Sequence, residues 1–380
     1  MTVYLDYNAT TPVDSLVLEA MLPFLQTLSA NPSAVHAPGR QARAAMDVAR
    51  EQVAALVNAH PSQVVFTSGG SEANSLAILG CARGMGFSHI ACSAIEHPAV
   101  LEACYALQRQ GVRFDELATG PDGLLRQSAL RTSLQQGLGL LSVMLANNET
   151  GVLQQVQEIA VLARAHGAVV HTDAVQALGK IPVDFRGLGV QMMTLSAHKI
   201  YGPKGVGALV MDKQLKLEPQ IYGGGQEKGL RSGTENVAAI VGFGKAAEIA
   251  KANLQQMTRL QQLRDQLEQG LMQLGGVVVF ARHADRLPNT SFFSVAGIDG
   301  ETLLMNLDLA GFAVSSGSAC ASKSEQPSHV LMAMGVEKDI ARGAIRVSLG
   351  RATSADDIHA FLQALQQQIS MLRSLSAVLV

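Results

Sequence analysis

The sequence has 380 residues, 48% of them hydrophobic and 16% charged, with a formal net charge of −2. That balance excludes a disordered chain and excludes bulk electrostatic attraction to nucleic acid or an anionic membrane. No apolar stretch reaches the ~18 residues a membrane helix needs, and the first twenty residues, with Asp6, Asp14 and Glu19, lack a basic segment followed by an apolar one. The expectation is a cytoplasmic protein with no membrane association and no direct nucleic-acid binding.

Length predicts roughly two domains. From about residue 64 to 211, short apolar or β-branched runs alternate with helix-like segments. QVVFT, HIACS, VRFDEL, LGLLSVMLA, AVVHTD, QMMTLS and GVGALVMD read as strands, and SEANSLAILGCARG, PAVLEACYALQRQ and VQEIAVLARAHG as helices. Strands apolar on both faces and separated by helices predict an α/β fold with a mostly parallel central sheet covered by helices, its functional groups past the carboxyl ends of the strands. From about 235 to 274 the pattern becomes one long helix or a helix pair, with Leu254, Met257, Leu260, Leu263, Leu267, Leu271 and Leu274 on one face. NTSFFSV and AIRVSLG then read as strands, with helices near 300–310, 327–335 and 354–374, which marks a smaller α+β domain.

Of the four cysteines, Cys81, Cys92 and Cys104 sit in apolar contexts and read as buried structural thiols. Cys320, in SSGSACASKS, sits among residues too small to bury it. With no Cys/His cluster and no H-E-x-x-H spacing, no metal site is expected.

Five strand ends carry chemistry. QMMTLSAHKIYGPKGVG delivers Ser196, His198 and Lys199; Lys199 is open to two readings, a solvated amine or a Schiff-base nucleophile. HTDAVQ delivers Asp173 and Gln176, the acid being either a helix cap or the partner of a protonated ring nitrogen. FTSGGSEANSLAI, with Gly69, Gly70 and Ser71, is a turn into a helix whose free N–H groups suit a phosphate, although any strand-helix loop has this look. EHPAV brings His97, and LANNETG brings Asn147 and Asn148, each with a structural alternative.

Taken together, DYNATTP, NPSAVHAPGR, FTSGGSEANSLAI, EHPAV, NNETG, HTDAVQ, SAHKIYGPKG, RSGT, SSGSACAS and IRVSLGR resemble, in order from about residue 4 to 351, the cysteine desulfurases of the NifS/IscS-like group, class-V aminotransferase relatives among the fold-type-I pyridoxal phosphate enzymes. The resemblance implies pyridoxal 5′-phosphate as cofactor, bound covalently by Lys199, with Asp173 on the pyridine nitrogen, Gln176 and Asn148 on the phenolate side and His97 stacked on the ring. It implies a phosphate seat of Gly70, Ser71, Ser196 and His198, completed by Thr234 from the other subunit of a homodimer. Asn31, Asn148 and Arg346 are expected to bind the substrate, L-cysteine. His97 or Lys199 would move its Cα proton, and Cys320 would take its sulfur as a persulfide for an acceptor protein, leaving alanine. The expected division is a large cofactor-binding domain, 15–255, and a small domain, 1–14 and 256–380, carrying the cysteine loop at about 315–326. Departures from the family pattern include Ser71 for the commoner Thr and a C-terminus that stops before the tail some relatives use to bind a scaffold. A selenocysteine lyase or an aminotransferase of the same fold is the alternative; a non-catalytic relative is disfavoured because Lys199, Asp173, His97 and Cys320 are all present.

Overall fold

The computed structural model describes residues 2–316 and 326–378. After a short strand β1 (Val3–Tyr4), seven strands build the central sheet: β2 (Val64–Thr67), β3 (His89–Ser93), β4 (Arg113–Leu117), β5 (Leu140–Ser142), β6 (Val169–Asp173), β7 (Met192–Ser196) and β8 (Gly207–Met211). They lie in the order β2-β8-β7-β6-β5-β3-β4, with only β8 antiparallel to its neighbours. Alternation along each strand divides the apolar side chains between two faces. Val64, Phe66, Val170, Met193, Leu195, Ala208 and Val210 join one cluster with the helices Ala37–Leu56 and Val237–Ala252. Val65, Ile90, Cys92, Met192, Leu209 and Met211 join another with the helix Pro98–Arg109. Burial on both faces is what double-sided apolar strands require.

A second sheet follows: β9 (Val277–Val279), β10 (Thr290–Val295), β12 (Ser315–Ser316) and β13 (Ala344–Ser348), in the order β12-β13-β10-β9 and antiparallel throughout, while β11 (Phe312–Ala313) pairs parallel with β1. Its core unites Phe293, Val295, Ile345 and Val347 with Leu260, Leu263, Leu267 and Leu271 of the helix Met257–Gln273 and with Phe361 and Leu365 of the helix Ala355–Val378. The leucine face read from the sequence is thus core, on the second member of a helix pair broken at Asn253. Cys81, Cys92 and Cys104 are buried, and burial pushes the Cys81 thiol up to about 12 and the Cys92 thiol well above its ordinary value, which makes these two poor nucleophiles. No helix among the described residues is long and apolar enough to cross a membrane.

Two differences from the sequence reading have physical causes. The run LGLLSVMLA forms a regular strand only over Leu140–Ser142; Val143 and Leu145 still donate to the main chain of His171 and Asp173, but the Leu145 oxygen accepts from the Gln154 N–H of a later segment. Helices at Ser15–Gln26 and Ala37–Leu56 were not read at all. The first buries only Val17 while Leu16, Leu18, Leu22 and Leu25 are exposed; the second does carry a stripe at helical spacing, Ala42, Met46, Ala49 and Val53, but half of it is alanine, which reads weakly as apolar.

Under the rim, His171 is clamped between Ser142 Oγ at 2.8 Å and Thr194 Oγ1 at 3.0 Å, tying β5, β6 and β7 together. Burial pushes its pKa down to about 3. An unfolded histidine takes its proton near 6.5, so between about pH 6.5 and 3 the unfolded chain holds the extra proton and stability falls as pH falls, by up to ~1.4 kcal/mol per pH unit. Replacing His171 by Gln is expected to make the dependence of unfolding free energy on pH shallower by about one proton between pH 6 and 4. Denaturant melts across that range check this, and parallel slopes for the two proteins contradict a neutral buried imidazole.

Candidate active site

Past the carboxyl ends of the parallel strands lies a cavity of about 300 Å³, the lower end of the range for small-ligand sites. Each wall comes from a different strand end. After β2, the turn Ser68–Ser71 enters the helical run that starts at Gly70 and continues to Met85. The main-chain N–H of Ser68 donates to Glu72 at 2.8 Å, which pins the turn. A Cβ built on Gly70 would stand 3.2 Å from Val175 Cγ2 and 3.6 Å from Ser196 Cβ, so glycine there keeps that corner open. Asp173, at the end of β6, accepts from Asn74 Nδ2 at 2.8 Å and from the Val175 N–H at 2.9 Å, which fixes its carboxylate plane.

β7 ends at Ser196, whose buried hydroxyl oxygen has no protein partner among the described residues. The one-turn helix Ala197–Lys199 then sets His198 against Thr10 Oγ1 at 3.1 Å and lays Lys199 Nζ on the main-chain oxygens of Asn8 and Ala9 at 2.5 and 2.7 Å. His97 caps the helix Pro98–Arg109, its Nδ1 accepting from the Ala99 N–H at 3.1 Å. Nε2 is therefore its available atom, and burial above all pushes its pKa down, with Lys199 and His329 adding to the effect against Asp173. Burial, aided by Lys199 and Lys204, also pushes His198 down to about 4. Both imidazoles are neutral near pH 7.

Of the two asparagines in LANNETG, Asn147 builds the loop: it donates to the Ile95 oxygen at 3.0 Å and accepts from the N–H groups of Glu149 and Thr150. Asn148 faces the cavity. From β13, Arg346 gives Nη1 to the Asn148 main-chain oxygen at 3.1 Å and Nη2 to Asp6 at 2.7 Å, while its buried Nε has no protein partner among the described residues.

Gly70, Ser71, His97, Asn148, Asp173, Gln176, Ser196, His198, Lys199 and Arg346, all singled out from the sequence, line this one cavity. Asn31 and Thr234 are exposed and are not among its lining residues, and Cys320 lies outside the described residues. Sequence reasoning missed Asn8 and Asn74, which also line it, and Asp6 and Lys180 behind it. The available signals were Asn8 two residues after an acid in DYNATTP and Asn74 one turn after Gly70, both weak for polar residues without a periodic pattern. Among the described residues no group of three or more metal-ligating side chains is gathered.

An amine, an acid, neutral imidazoles and a guanidinium converging on an anion-friendly turn agree with what similar proteins indicate. The class-V aminotransferase model matches residues 3–361. Cysteine desulfurase IscS of Dictyoglomus turgidum is 43% identical over 378 residues, covering 98% of this chain and 96% of its own. A solved NifS-like protein superposes with a TM-score of 0.92 at 37% identity, covering 98% of this chain and 100% of that one. A structure of SspA in complex with cysteine gives 0.81 at 35% identity, over 92% and 99%. The chain belongs to the class-V aminotransferase family and, within that family, to the cysteine desulfurases.

One packing constraint separates two glycines of the site. A Cβ on Gly207 of β8 would lie 2.6 Å from the Gly69 carbonyl carbon and 2.7 Å from the Leu195 oxygen, backbone on both sides, whereas a Cβ on Gly69 meets nothing within 4 Å. Gly207→Ala is expected to cost about 1–3 kcal/mol through overpacking and Gly69→Ala less than ~1 kcal/mol. Thermal melts of the two variants check the order.

Proposed function

We propose that the chain is a pyridoxal phosphate-dependent cysteine desulfurase that takes sulfur from L-cysteine, leaves L-alanine and holds the sulfur as a persulfide on Cys320 for an acceptor protein. The observation that carries the reading is the convergence of Lys199, Asp173, His97 and Arg346 on one cavity of about 300 Å³. The donor set fits the cofactor. Asp173, oriented by Asn74 and Val175, suits a protonated ring nitrogen. The unpartnered Ser196 hydroxyl, with Ser71, His198 and the open corner at Gly70, suits a phosphate. When bound, pyridoxal phosphate supplies an electron sink that makes the Cα–H of an attached amino acid acidic.

The chain's own residues do the rest. Lys199 Nζ anchors the cofactor in the resting enzyme. Arg346, its plane fixed by Asp6 and Asn148, holds the substrate carboxylate. His97, kept neutral by burial, carries its hydrogen on Nε2 because Nδ1 accepts from the Ala99 N–H, and can give that proton; Lys199 is then the base that takes the Cα proton. The Cys320 thiolate attacks the substrate sulfur: an S–S bond forms, the C–S pair stays with carbon, and a proton completes alanine. Two anchors support delivery of that thiol. Ser315 is in register with Arg346, and on the far side Ser328 donates to Glu149 while the His329 ring is 3.0 Å from the Glu96 oxygen, both on rim loops.

A homodimer belongs to the same reading, because exposed Thr234 needs a second copy to bring it to a phosphate. We also propose the division into 15–255 and a smaller unit of 1–14 and 256–380, supported by the separate apolar clusters of the two sheets.

Purified protein given L-cysteine is expected to release alanine and sulfide. Cys320→Ala should keep the cofactor's visible absorption and lose about a hundredfold or more of both products; a variant that desulfurates at the wild-type rate overturns the role of Cys320, and pyridoxamine phosphate formation in place of alanine points to an aminotransferase. Arg346→Lys, which removes a planar fork, is expected to raise KM for L-cysteine roughly 10–100-fold with a smaller change in kcat.

A further inference from the structure

Behind the cavity, Lys180 is buried in a polar cluster that the reaction does not use directly. We propose that Lys180 is a positioning residue: it fixes which edge of the Gln176 amide faces the cavity, so that this corner presents an N–H and selects an occupant with an anionic oxygen there. The inference rests on the pyridoxal phosphate reading and identifies the selected group as the ionised ring hydroxyl.

An amide can turn either edge toward a site, so its partners decide. Gln176 Nε2 is 3.0 Å from the main-chain oxygen of Asn8, which can only accept. Oε1 receives the Lys180 Nζ donor at 2.7 Å. Both ends are therefore assigned, and Nε2 keeps a second hydrogen on a residue that lines the cavity. Lys180's other donation reaches Asn8 Oδ1 at 2.8 Å. That amide is assigned too, since Asn8 Nδ2 lies 3.2 Å from the main-chain oxygen of Asn148 and Asn289 Nδ2 donates to Asn8 Oδ1 at 3.1 Å. Burial, with Lys199 and Arg346 nearby, pushes the Lys180 pKa well below its ordinary value. An uncharged amine still has the two hydrogens that its two acceptors need. Without Lys180, Oε1 becomes a buried acceptor lacking a donor, and rotation that turns it to the cavity sets an acceptor against an oxyanion.

The test compares wild type, Lys180→Met and Gln176→Glu as full-length protein stripped of cofactor and titrated with pyridoxal phosphate, reading Kd and the pH midpoint of the bound cofactor's visible band. Lys180→Met is expected to weaken binding about tenfold and to raise the midpoint by roughly one unit, because hydrogen bonds to an ionised group lower its pKa. Gln176→Glu keeps an acceptor for Lys180 but has no N–H, and should raise the midpoint at least as far. Lys180→Gln, which keeps a donor, should recover part of the shift. Midpoints equal to wild type in Lys180→Met overturn the proposal. Should that variant not fold, Gln176→Glu decides: a raised midpoint supports the proposal and an unchanged one overturns it. Wild type that binds no pyridoxal phosphate overturns the functional reading itself, a result distinct from variants that match a binding wild type.

Discussion

The register between β6 and β7 is the constraint on which the site depends. Parallel pairing sets Asp173 opposite Thr194, two residues before β7 ends at Ser196. The acid and the Ser196–Lys199 segment therefore leave the sheet at one edge and cannot separate without breaking the ladder. His171 reinforces that register from below, bridging Ser142 on β5 and Thr194 on β7. A one-residue slip would turn Asp173 to the opposite face. The proposed catalytic pairing is thus as stable as the most buried part of the sheet, and the less regular loops around it only add groups to a fixed pair.

The second organising element is Asn8. Its main-chain oxygen accepts from both Lys199 and Gln176, and its side chain takes Lys180 and Asn289 while giving to Asn148 and Thr290. One residue thereby couples the large sheet's rim to the strand β10 of the small sheet. The surrounding charge is arranged to hold anions: Lys199 and Arg346 stand against Asp173 and Asp6, while burial keeps His97 and His198 uncharged. Neutral rings add no charge to this balanced set, and His97, with Nδ1 accepting from Ala99, presents an N–H at Nε2.

Most strands between residues 64 and 211 were legible because their side chains are buried on both faces, the edge strand β4 being the exception, and most rim residues were legible because they end or closely follow a strand. What escaped was whatever depends on a partner from elsewhere. The direction of β8 is invisible in GVGALVMD, and only the tertiary fold turns that strand against β2 and β7. Asn74, Lys180 and Asp6 act on groups 99, 172 and 340 positions away, respectively Asp173, Asn8 and Arg346. No local pattern records such distances. The helix Ser15–Gln26 failed for a different reason: its leucines lie outside the packing of a single chain, so its apolar residues do not mark an inner face.

The long reach of the amino-terminal segment also bears on how the protein is made. Asn8 binds Ser348, 340 residues onward, through its own N–H, and Arg346, which grips Asp6, lies on the same late strand. During synthesis Asp6 and Asn8 are made long before Arg346 and Ser348, so these two contacts form late, whereas Gln176 and Lys199 reach Asn8 earlier. A nascent chain that has completed the large sheet already carries Lys199 with its Asn8 and Ala9 acceptors and Asp173 with its Asn74 and Val175 donors, yet lacks the Arg346 fork. The guanidinium is therefore the last wall of the pocket to arrive.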